Sequence, residues 1–248
     1  MSYLEKVKDV LSINDLCFLK EDDIWETLDT SKAIIFDGHF ELISNKHTDT
    51  FFRFAAISQY PSFLAKISKE LVAWLKNNDI PEIDVVLGPS SQGLFFAYDI
   101  ARELNGTMGT RAVYATINKK TGRPAEKLVE GFEIKPSEKV LVVNDLTTTG
   151  EGLDTLISLA EKKSGQVVGV CLFANRGIGV QKVEKISNQY KFHSIIDLDM
   201  PFWSKTECSR RCDREKKMIY SKDINHLPIY SEENEYEHYI KKLELYTA

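Results

Sequence analysis

The sequence is poor in cysteine and has no long apolar run. Four cysteines in 248 residues are too few for the disulfide framework of a small secreted domain, so we expect a reducing compartment. No stretch reaches the roughly 18 uninterrupted apolar residues of a transmembrane helix. The start of the chain carries charges at Glu5, Lys6, Lys8 and Asp9, so it lacks the apolar core of a signal peptide. These absences predict a cytoplasmic protein with no membrane partner.

The chain also lacks the positive charge of a general nucleic-acid binder. Its formal net charge is −5, whereas such proteins usually have a basic excess. The basic run at 210–217 is interleaved with acids, which is typical of a solvated helix face. We therefore expect no nucleic-acid partner. An acidic chain can still bind a polyanionic small molecule where its basic side chains converge.

What the sequence does contain is a regular alternation of apolar strands and amphipathic helices. Its hydrophobic residues, 43% of the total, are enough for one core. Strands are indicated at Asp84–Gly88, Ala112–Ile117, Lys139–Asn144 and Val167–Ala174, and helices near 4–11, 22–28, 61–75, 94–104 and 153–160. This alternation predicts an α/β fold, with a parallel β-sheet flanked by helices. Ligands of such sheets bind at the carboxyl ends of the strands.

The sharpest motif is the stretch 140–150, where an apolar strand runs into Asp145 and then into Thr147-Thr148-Thr149-Gly150. Backbone N–H groups at the start of the next helix, together with the threonine hydroxyls, can surround a phosphate. Gly150 permits close approach of the backbone, and Asp145 can accept hydrogen bonds from ribose hydroxyls. A plainer alternative is a turn whose threonines cap the helix. The stretch is not a Walker loop, because no Gly-Lys-Ser/Thr follows.

This motif resembles the phosphoribosyl-pyrophosphate (PRPP) loop of type I phosphoribosyltransferases. Three further stretches, 38–52, 86–104 and 131–140, are similar to the substrate segment, the pyrophosphate loop with its helix and the approach to the PRPP strand of orotate phosphoribosyltransferases. The resemblance extends over about Glu21–Arg176. It implies the type I fold with a small N-terminal hood. We accordingly divide the chain into an N-terminal helical extension (1–18), a phosphoribosyltransferase domain including the hood (19–205) and a C-terminal tail (206–248).

The resemblance implies Mg²⁺-dependent transfer of a phosphoribosyl group from PRPP to orotate, giving orotidine 5′-phosphate and pyrophosphate in pyrimidine nucleotide biosynthesis. Mg²⁺ would be bound mainly through PRPP, with no dedicated cluster of protein ligands. In the family a basic loop before the PRPP strand reaches into the neighbouring subunit's site, which implies a homodimer. Lys119, Lys120 and Arg123 occupy this place here, without the family's usual Arg-Lys start and histidine. A solvated turn is the alternative.

The resemblance also assigns roles by position. The residues expected to act in catalysis are Lys119, Lys120, Arg123 and Asp145. Those expected to bind PRPP are Ser90, Ser91, Gln92, Gly93, Asn144, Thr147, Thr148, Thr149, Gly150 and Glu151. Those expected to bind the base are His47, Phe51, Phe52 and Arg176, since a flat acidic base needs an aromatic contact and a cation. Core packing is the alternative for the two phenylalanines.

Two departures from the family's pattern keep other functions open. Asn144 replaces the first of two adjacent acids, although an amide can still bind a sugar hydroxyl. Glu151 and Gly152 stand where relatives have Gly and Ser or Thr, and a carboxylate near a phosphate opposes binding unless it points away. The alternatives are transfer to a different base, or a non-catalytic PRPP-binding regulator. The N-terminal extension is too short to be the DNA-binding domain that such a regulator would need.

The tail adds one motif, Cys208-x-x-x-Cys212. Two cysteines are half of what a structural zinc site needs, and no histidine pair follows closely. The sequence leaves open whether this pair binds a metal. The acidic and then amphipathic stretch 231–245 is expected to form a surface or dimer-contact helix.

Overall fold

A seven-stranded sheet forms the centre of the protein in the computed structural model, which describes residues 1–80, 82–91, 93–104, 109–119, 121–211, 216–226 and 236–247. The strands are β1 (Leu11–Ile13), β2 (Ile34–Ile35), β3 (Phe40–Glu41), β4 (His47–Thr48), β5 (Phe51–Phe52), β6 (Val85–Pro89), β7 (Arg111–Ile117), β8 (Pro124–Leu128), β9 (Lys139–Thr147), β10 (Gln166–Asn175), β11 (Phe192–Leu198) and β12 (Ile219–Tyr220). The helices are α1 (Tyr3–Val10), α2 (Glu21–Ser31), α3 (Phe54–Ser58), α4 (Pro61–Asn77), α5 (Gly93–Leu104), α6 (Glu151–Lys162), α7 (Gln181–Gln189), α8 (Lys205–Arg211), α9 (Ser221–His226) and α10 (Tyr236–Thr247).

The central sheet has the strand order β1-β11-β10-β9-β6-β7-β8. Its five inner strands are parallel, and β1 and β8 pair antiparallel at the two edges. The apolar runs that predicted strands are buried, for example Val140–Val143, because helices cover both faces of the sheet. The predicted α/β class is confirmed. No described helix is long and apolar enough to cross a membrane.

The pairing register of β9 and β10 brings their carboxyl ends to the same edge of the sheet. Asn175 at the end of β10 pairs with Thr147 at the end of β9, and β6 ends on the same side at Pro89. The first turns of α5 and α6 begin directly beyond this edge. The carboxyl ends of three neighbouring parallel strands therefore lie together, as ligand sites in such sheets require.

The N-terminal segment belongs to the central sheet. The helix predicted near residues 4–11 ends at Val10, and β1 then pairs with β11 through Leu11 and Leu198. Three successive backbone N–H groups, of residues 17–19, donate to the buried carboxylate of Glu70 in α4 at 2.7–2.8 Å. One acid thus holds the polypeptide where it turns from β1 toward α2.

The hood consists of two small sheets, β2-β5 and β12-β3-β4. Between them the apolar core is built on Phe40 and Phe51, whose rings are 5.4 Å apart. Tyr236 and Tyr239 of α10 are buried in the same core. The tail was expected to supply a surface or dimer-contact helix. Its described part, α10, packs on the hood: the two tyrosines provide an apolar face that the short hood strands lack, while Glu237 and Lys241 stay exposed.

Candidate active site

A cavity of about 270 Å³ opens at the carboxyl edge of the central sheet. Its walls come from the β3–β4 hairpin, the β5–α3 junction, the loop between β7 and β8, and the turn between β9 and α6. The lining residues are Leu42, Ile43, Ser44, Phe51, Phe52, Arg53, Phe54, Ala55, Pro89, Ser91, Ile117, Gly122, Arg123, Pro124, Asn144, Asp145, Leu146, Thr147, Thr148, Thr149, Gly150, Glu151, Gly152, Arg176 and Ser221. The hydroxyl loop singled out in the sequence is therefore part of a concave site.

The turn between β9 and α6 is closed by a glycine in the left-handed conformation. Gly150 is the N-cap of α6 with φ +76°, and no side chain caps this helix. A Cβ at Gly150 would lie 3.1 Å from side-chain atoms of Lys182 and Val183, so glycine meets both a steric and a conformational requirement. The alternative in which threonines merely cap the helix is not what the structure shows. Thr147, Thr148 and Thr149 line the cavity at the positive end of α6.

Asp145 and Asn144 have different functions in this turn. The Asn144 amide donates to Leu146 O at 3.0 Å, and its Oδ1 accepts from the Asp145 N–H at 3.1 Å. Because a carboxylate cannot donate, Asn144 braces the backbone in a way that an ionised acid cannot. Burial raises the pKa of Asp145 to about 6. The Asp145 carboxyl is thus held in a site where an ionised form gains from hydrogen-bond donors on a ligand.

Glu151 has a partner at the cavity wall. Its carboxylate forms an ion pair with Arg123 Nη1, from the loop between β7 and β8. Arg123 Nη2 also lies 3.5 Å from the Ile43 carbonyl oxygen of the β3–β4 hairpin. Arg123 thus balances the negative charge of Glu151, which the sequence analysis considered unfavourable for phosphate binding. Arg123 also connects three walls of the cavity.

Only one of the other described residues expected on the basic and pyrophosphate loops lines the cavity. Lys119 is exposed and does not line the cavity, and Lys120 and Gln92 lie outside the described residues. Ser91 lines the cavity but Ser90 and Gly93 do not. Packing explains why residue 93 is a glycine, since a Cβ there would lie 2.6 Å from the Pro89 ring.

Phe51 and Phe52 line the cavity while remaining buried, 7% and 5% exposed. Phe51 packs on Phe40 of the hood, and Phe52 stacks with Phe173 of β10 at 6.0 Å and 20°. The two rings therefore also serve as core residues. The core-packing interpretation is confirmed, and base binding stays a prediction that the position of both rings at the cavity wall permits.

Arg176 follows β10 and is 3% exposed. Its Nε donates to Met200 O at 2.9 Å and its Nη1 to Thr50 O at 3.2 Å. Its Nη2 donates to Thr48 Oγ1 at 2.6 Å and to Pro201 O at 3.3 Å. Four of the five N–H groups of the guanidinium are thus engaged, and the fifth, on Nη1, has no acceptor among the described residues. Burial lowers the pKa of Arg176 to about 10. Because this value is still well above 7, the guanidinium is cationic at neutral pH.

His47 does not reach the cavity, although the sequence placed it among the base-binding residues. Its ring faces His39, with the centroids 5.2 Å apart, and its backbone bridges to Trp203. Burial, and then the nearby His39, lowers the pKa of His47. The side chain is directed at His39, whereas residues 42–44 of the same hairpin form the cavity wall.

Arg53 and Ser44 are among the lining residues that the sequence analysis did not single out. Arg53 is 5% exposed and follows Phe52 at the start of α3. Ser44 has a buried hydroxyl with no hydrogen-bond partner among the described residues. The charge of Arg53 directly after two apolar phenylalanines could have indicated a functional residue at this position. Ser44 gave none, because a serine in a hairpin turn is ordinary.

Comparison with known proteins identifies the family and the fold. The family model described as a phosphoribosyl transferase domain matches residues 56–205. An orotate phosphoribosyltransferase of Thermoanaerobacter sp. (strain X514) is 38% identical over 176 residues, 71% of this chain and 84% of that protein. The structure of Leishmania donovani UMP synthase gives a TM-score of 0.56 at 21% identity, over 69% of this chain and 35% of that one. The orotate phosphoribosyltransferase from Aeropyrum pernix gives 0.53 at 19% identity, over 68% and 91%. The structural likeness concerns the fold.

Proposed function

This chain belongs to the orotate phosphoribosyltransferase family, and from that premise we propose that it transfers the phosphoribosyl group of PRPP to orotate. The products are orotidine 5′-phosphate and pyrophosphate, and the pathway is pyrimidine nucleotide biosynthesis in the cytoplasm. One observation carries the proposal. The hydroxyl loop at 147–150 and the cationic end of Arg176 face one cavity, together with Phe51 and Phe52.

The phosphate loop would hold the 5′-phosphate of PRPP. The backbone N–H groups at the start of α6 and the hydroxyls of Thr147, Thr148 and Thr149 are the donors that such a group requires. Asp145 would accept hydrogen bonds from the ribose hydroxyls, in its ionised form. The Asn144 amide supports this arrangement by fixing the backbone on which Asp145 lies.

The leaving pyrophosphate requires positive charge and donors that are already in place. Ser91 and Arg123 line the part of the cavity beyond β6 and fit this role. Mg²⁺, when bound to the diphosphate, would neutralise part of its charge. Asp145 and Asn144 supply oxygen atoms of the kind that this ion prefers, and Glu151 is already paired with Arg123.

Orotate would lie between the aromatic pair and Arg176. Its carboxylate would take the fifth N–H of the Arg176 guanidinium, and its ring would contact the rims of Phe51 and Phe52. Arg53 and the Ser44 hydroxyl add a cation and a donor to the same cavity. The reacting base nitrogen then faces C1 of the ribose, and the protein's contribution is orientation and charge stabilisation.

A homodimer is part of the proposal. The basic loop with Lys119 and Lys120 would act in the partner's site, which fits the exposed position of Lys119. On α5, Phe95 and Tyr98 are 57% and 58% exposed one helical turn apart. Such an apolar pair supports an interface on this helix.

A base screen tests the proposal against its alternatives. Pyrophosphate release is measured with PRPP and Mg²⁺ in the presence of orotate, uracil, adenine or hypoxanthine, and PRPP binding is measured separately as a thermal shift. Release that requires orotate is the expected result. Release with another base alone would reassign the acceptor. A thermal shift with PRPP and no release with any base would point to a PRPP-binding regulator.

A further inference from the structure

Three potential metal ligands converge outside the cavity, where the tail meets the hood. The ligand atoms of His39, His47 and Cys208 all lie within 4.8 Å of one another. His39 Nε2 is 3.1 Å from His47 Nδ1 and 3.4 Å from the Cys208 sulfur. Zinc bonds of about 2.0–2.3 Å to nitrogen and sulfur imply tetrahedral ligand separations of ~3.3–3.6 Å. The two separations at His39 Nε2 are close to the edges of such a coordination shell, and the third, between His47 and Cys208, lies within 4.8 Å.

The outward ring nitrogens of the two histidines face acceptors. His39 Nδ1 is 3.3 Å from the Lys216 carbonyl oxygen, and His47 Nε2 is 3.4 Å from Glu41 Oε2, although the second contact is not aligned as a hydrogen bond. The carbonyl oxygen favours a proton on His39 Nδ1, and the Glu41 carboxylate, which Lys205 Nζ also contacts at 3.2 Å, favours one on His47 Nε2. Acceptors of this kind commonly orient zinc-bound histidines. The two inward nitrogens then carry bare lone pairs that point at each other.

A hydrogen bond between the two neutral histidines cannot satisfy all four ring nitrogens. If His47 Nδ1 donates to His39 Nε2, then His47 Nε2 is a bare lone pair beside the Glu41 carboxylate. If His39 Nε2 donates instead, then His39 Nδ1 is a bare lone pair beside a carbonyl oxygen. Either tautomer therefore leaves one repulsive contact. A divalent cation between the inward nitrogens removes it, and burial of His47 and Cys208, at 7% and 3% exposed, shields such an ion from water.

We propose that His39, His47 and Cys208 supply three of the four ligands of one zinc ion that fastens the tail to the hood, as a structural site separate from the active site. His39 precedes β3 and His47 begins β4, and the chain between them supplies Leu42, Ile43 and Ser44 to the cavity wall. The ion would hold both ends of this hairpin to α8. Metal binding therefore fixes one wall of the substrate cavity without contacting substrate.

The site belongs to the reduced chain, because Cys208 is disulfide-bonded in this structure. A phosphine reductant converts the disulfide to two thiols, with two electrons from phosphorus and two protons from water, whose oxygen leaves in the phosphine oxide. The Cys208 thiol then loses its proton to solvent as the thiolate binds the metal. Reducing conditions of the kind expected in the cytoplasm keep this ligand available.

The test uses the full-length, phosphine-reduced protein, dialysed against zinc or cobalt(II). We expect about one zinc per chain, and for cobalt an intense near-ultraviolet band from sulfur-to-metal charge transfer together with tetrahedral visible bands. His47→Gln and Cys208→Ser should each weaken zinc binding at least tenfold, and Glu41→Gln should weaken it less. Cys17→Ser is the matched control, since Cys17 is an exposed free cysteine, and it should bind zinc like the wild type.

Hydrogen exchange gives an independent measure of the structural role. Zinc should slow exchange of the amides in 39–48 relative to the reduced metal-free protein. Zinc bound equally well by wild type, His47→Gln and Cys208→Ser would overturn the proposal. If the variants do not fold, a wild-type cobalt spectrum without the charge-transfer band would overturn it alone.

Discussion

Arg123 and Glu151 form an ion pair across the active-site cavity, which joins the loop after β7 to the first turn of α6. Arg123 is the cation that we assign to the leaving pyrophosphate, and Glu151 stands in the proposed phosphate loop. If Arg123 binds the diphosphate as proposed, PRPP must compete with the Glu151 carboxylate for this arginine. Binding of PRPP requires that this pair open or that both anions share the cation.

Removing the charge of Glu151 should favour the substrate. We expect Glu151→Gln to lower the KM for PRPP about three- to tenfold, because a repulsive charge and a competitor for Arg123 are lost together, a change of ~1 kcal/mol. Arg123→Ala should lower kcat far more than it raises KM. Glu126→Gln is the control, because Glu126 is an exposed acid paired with Lys162 away from the cavity. A higher KM for PRPP in Glu151→Gln would mean that Glu151 itself binds the substrate.

The raised pKa of Asp145 predicts the acid limb of the pH profile. Binding of the ribose hydroxyls needs the carboxylate, so kcat/KM for PRPP should fall as the pH drops through about 6. Part of any such decline comes from the phosphates of PRPP, which titrate nearby. Asp145→Asn should therefore be less active and show a shallower decline, whereas Asp154→Asn, in the first turn of α6, should match the wild type. Parallel wild-type and Asp145→Asn profiles would remove Asp145 from substrate binding.

Asp145 should also cost the folded protein stability. Its carboxyl pKa is higher in the folded state than the ordinary value of 3.8, so the folded state disfavours the ionised form. The penalty is complete above about pH 6 and disappears below about pH 4. Asp145→Asn should consequently raise the melting temperature at pH 8 but not at pH 3.5. Equal shifts at both values would show that desolvation of the carboxylate is not the cause.

Arg176 should be intolerant of lysine. An ammonium cannot reach the four acceptors that the guanidinium now engages, and buried carbonyl groups would lose their donors. We expect Arg176→Lys to destabilise the fold by roughly 2–4 kcal/mol and to raise the KM for orotate more than tenfold. Urea unfolding and steady-state kinetics separate the two effects. An unchanged KM for orotate in the folded variant would limit Arg176 to a structural role.

Glu70 gives a stability prediction that is independent of catalysis. Glu70→Ala leaves the three N–H groups of residues 17–19 without their acceptor, at about 1–3 kcal/mol for each group that stays buried. We expect a loss of at least ~3 kcal/mol in the free energy of urea unfolding. Glu130→Ala, at an exposed acid, should change it by less than about 0.5 kcal/mol. A loss below 1 kcal/mol for Glu70→Ala would mean that water replaces the carboxylate.

The main sheet and the strand-to-helix turn at 147–150 could be predicted because their signals are local. Apolar runs such as Val140–Val143 and the step into Thr147–Gly150 lie within a few residues of one another. The Arg123–Glu151 pair could not be predicted, because it depends on how two loops fold over one edge. The same applies to the proximity of His39 and His47 to Cys208, because Cys208 follows both histidines by more than 160 positions in the chain.

The expectations that differed most from the structure concern side chains whose direction depends on packing. His47 has the residue type of a base-binding group, yet its side chain packs against His39, outside the cavity. The tyrosines of α10 gave a periodic pattern that suits a surface helix, and only the unfilled core of the hood explains their burial. Periodicity identifies an apolar face, but it does not identify what covers that face.

The most direct test of the central claim is to mix the protein with PRPP, Mg²⁺ and orotate and to follow the loss of orotate absorbance. We predict a loss that requires both PRPP and Mg²⁺ and that yields orotidine 5′-phosphate and pyrophosphate in equal amounts. No loss of orotate, with PRPP binding established by thermal shift, would contradict orotate transfer.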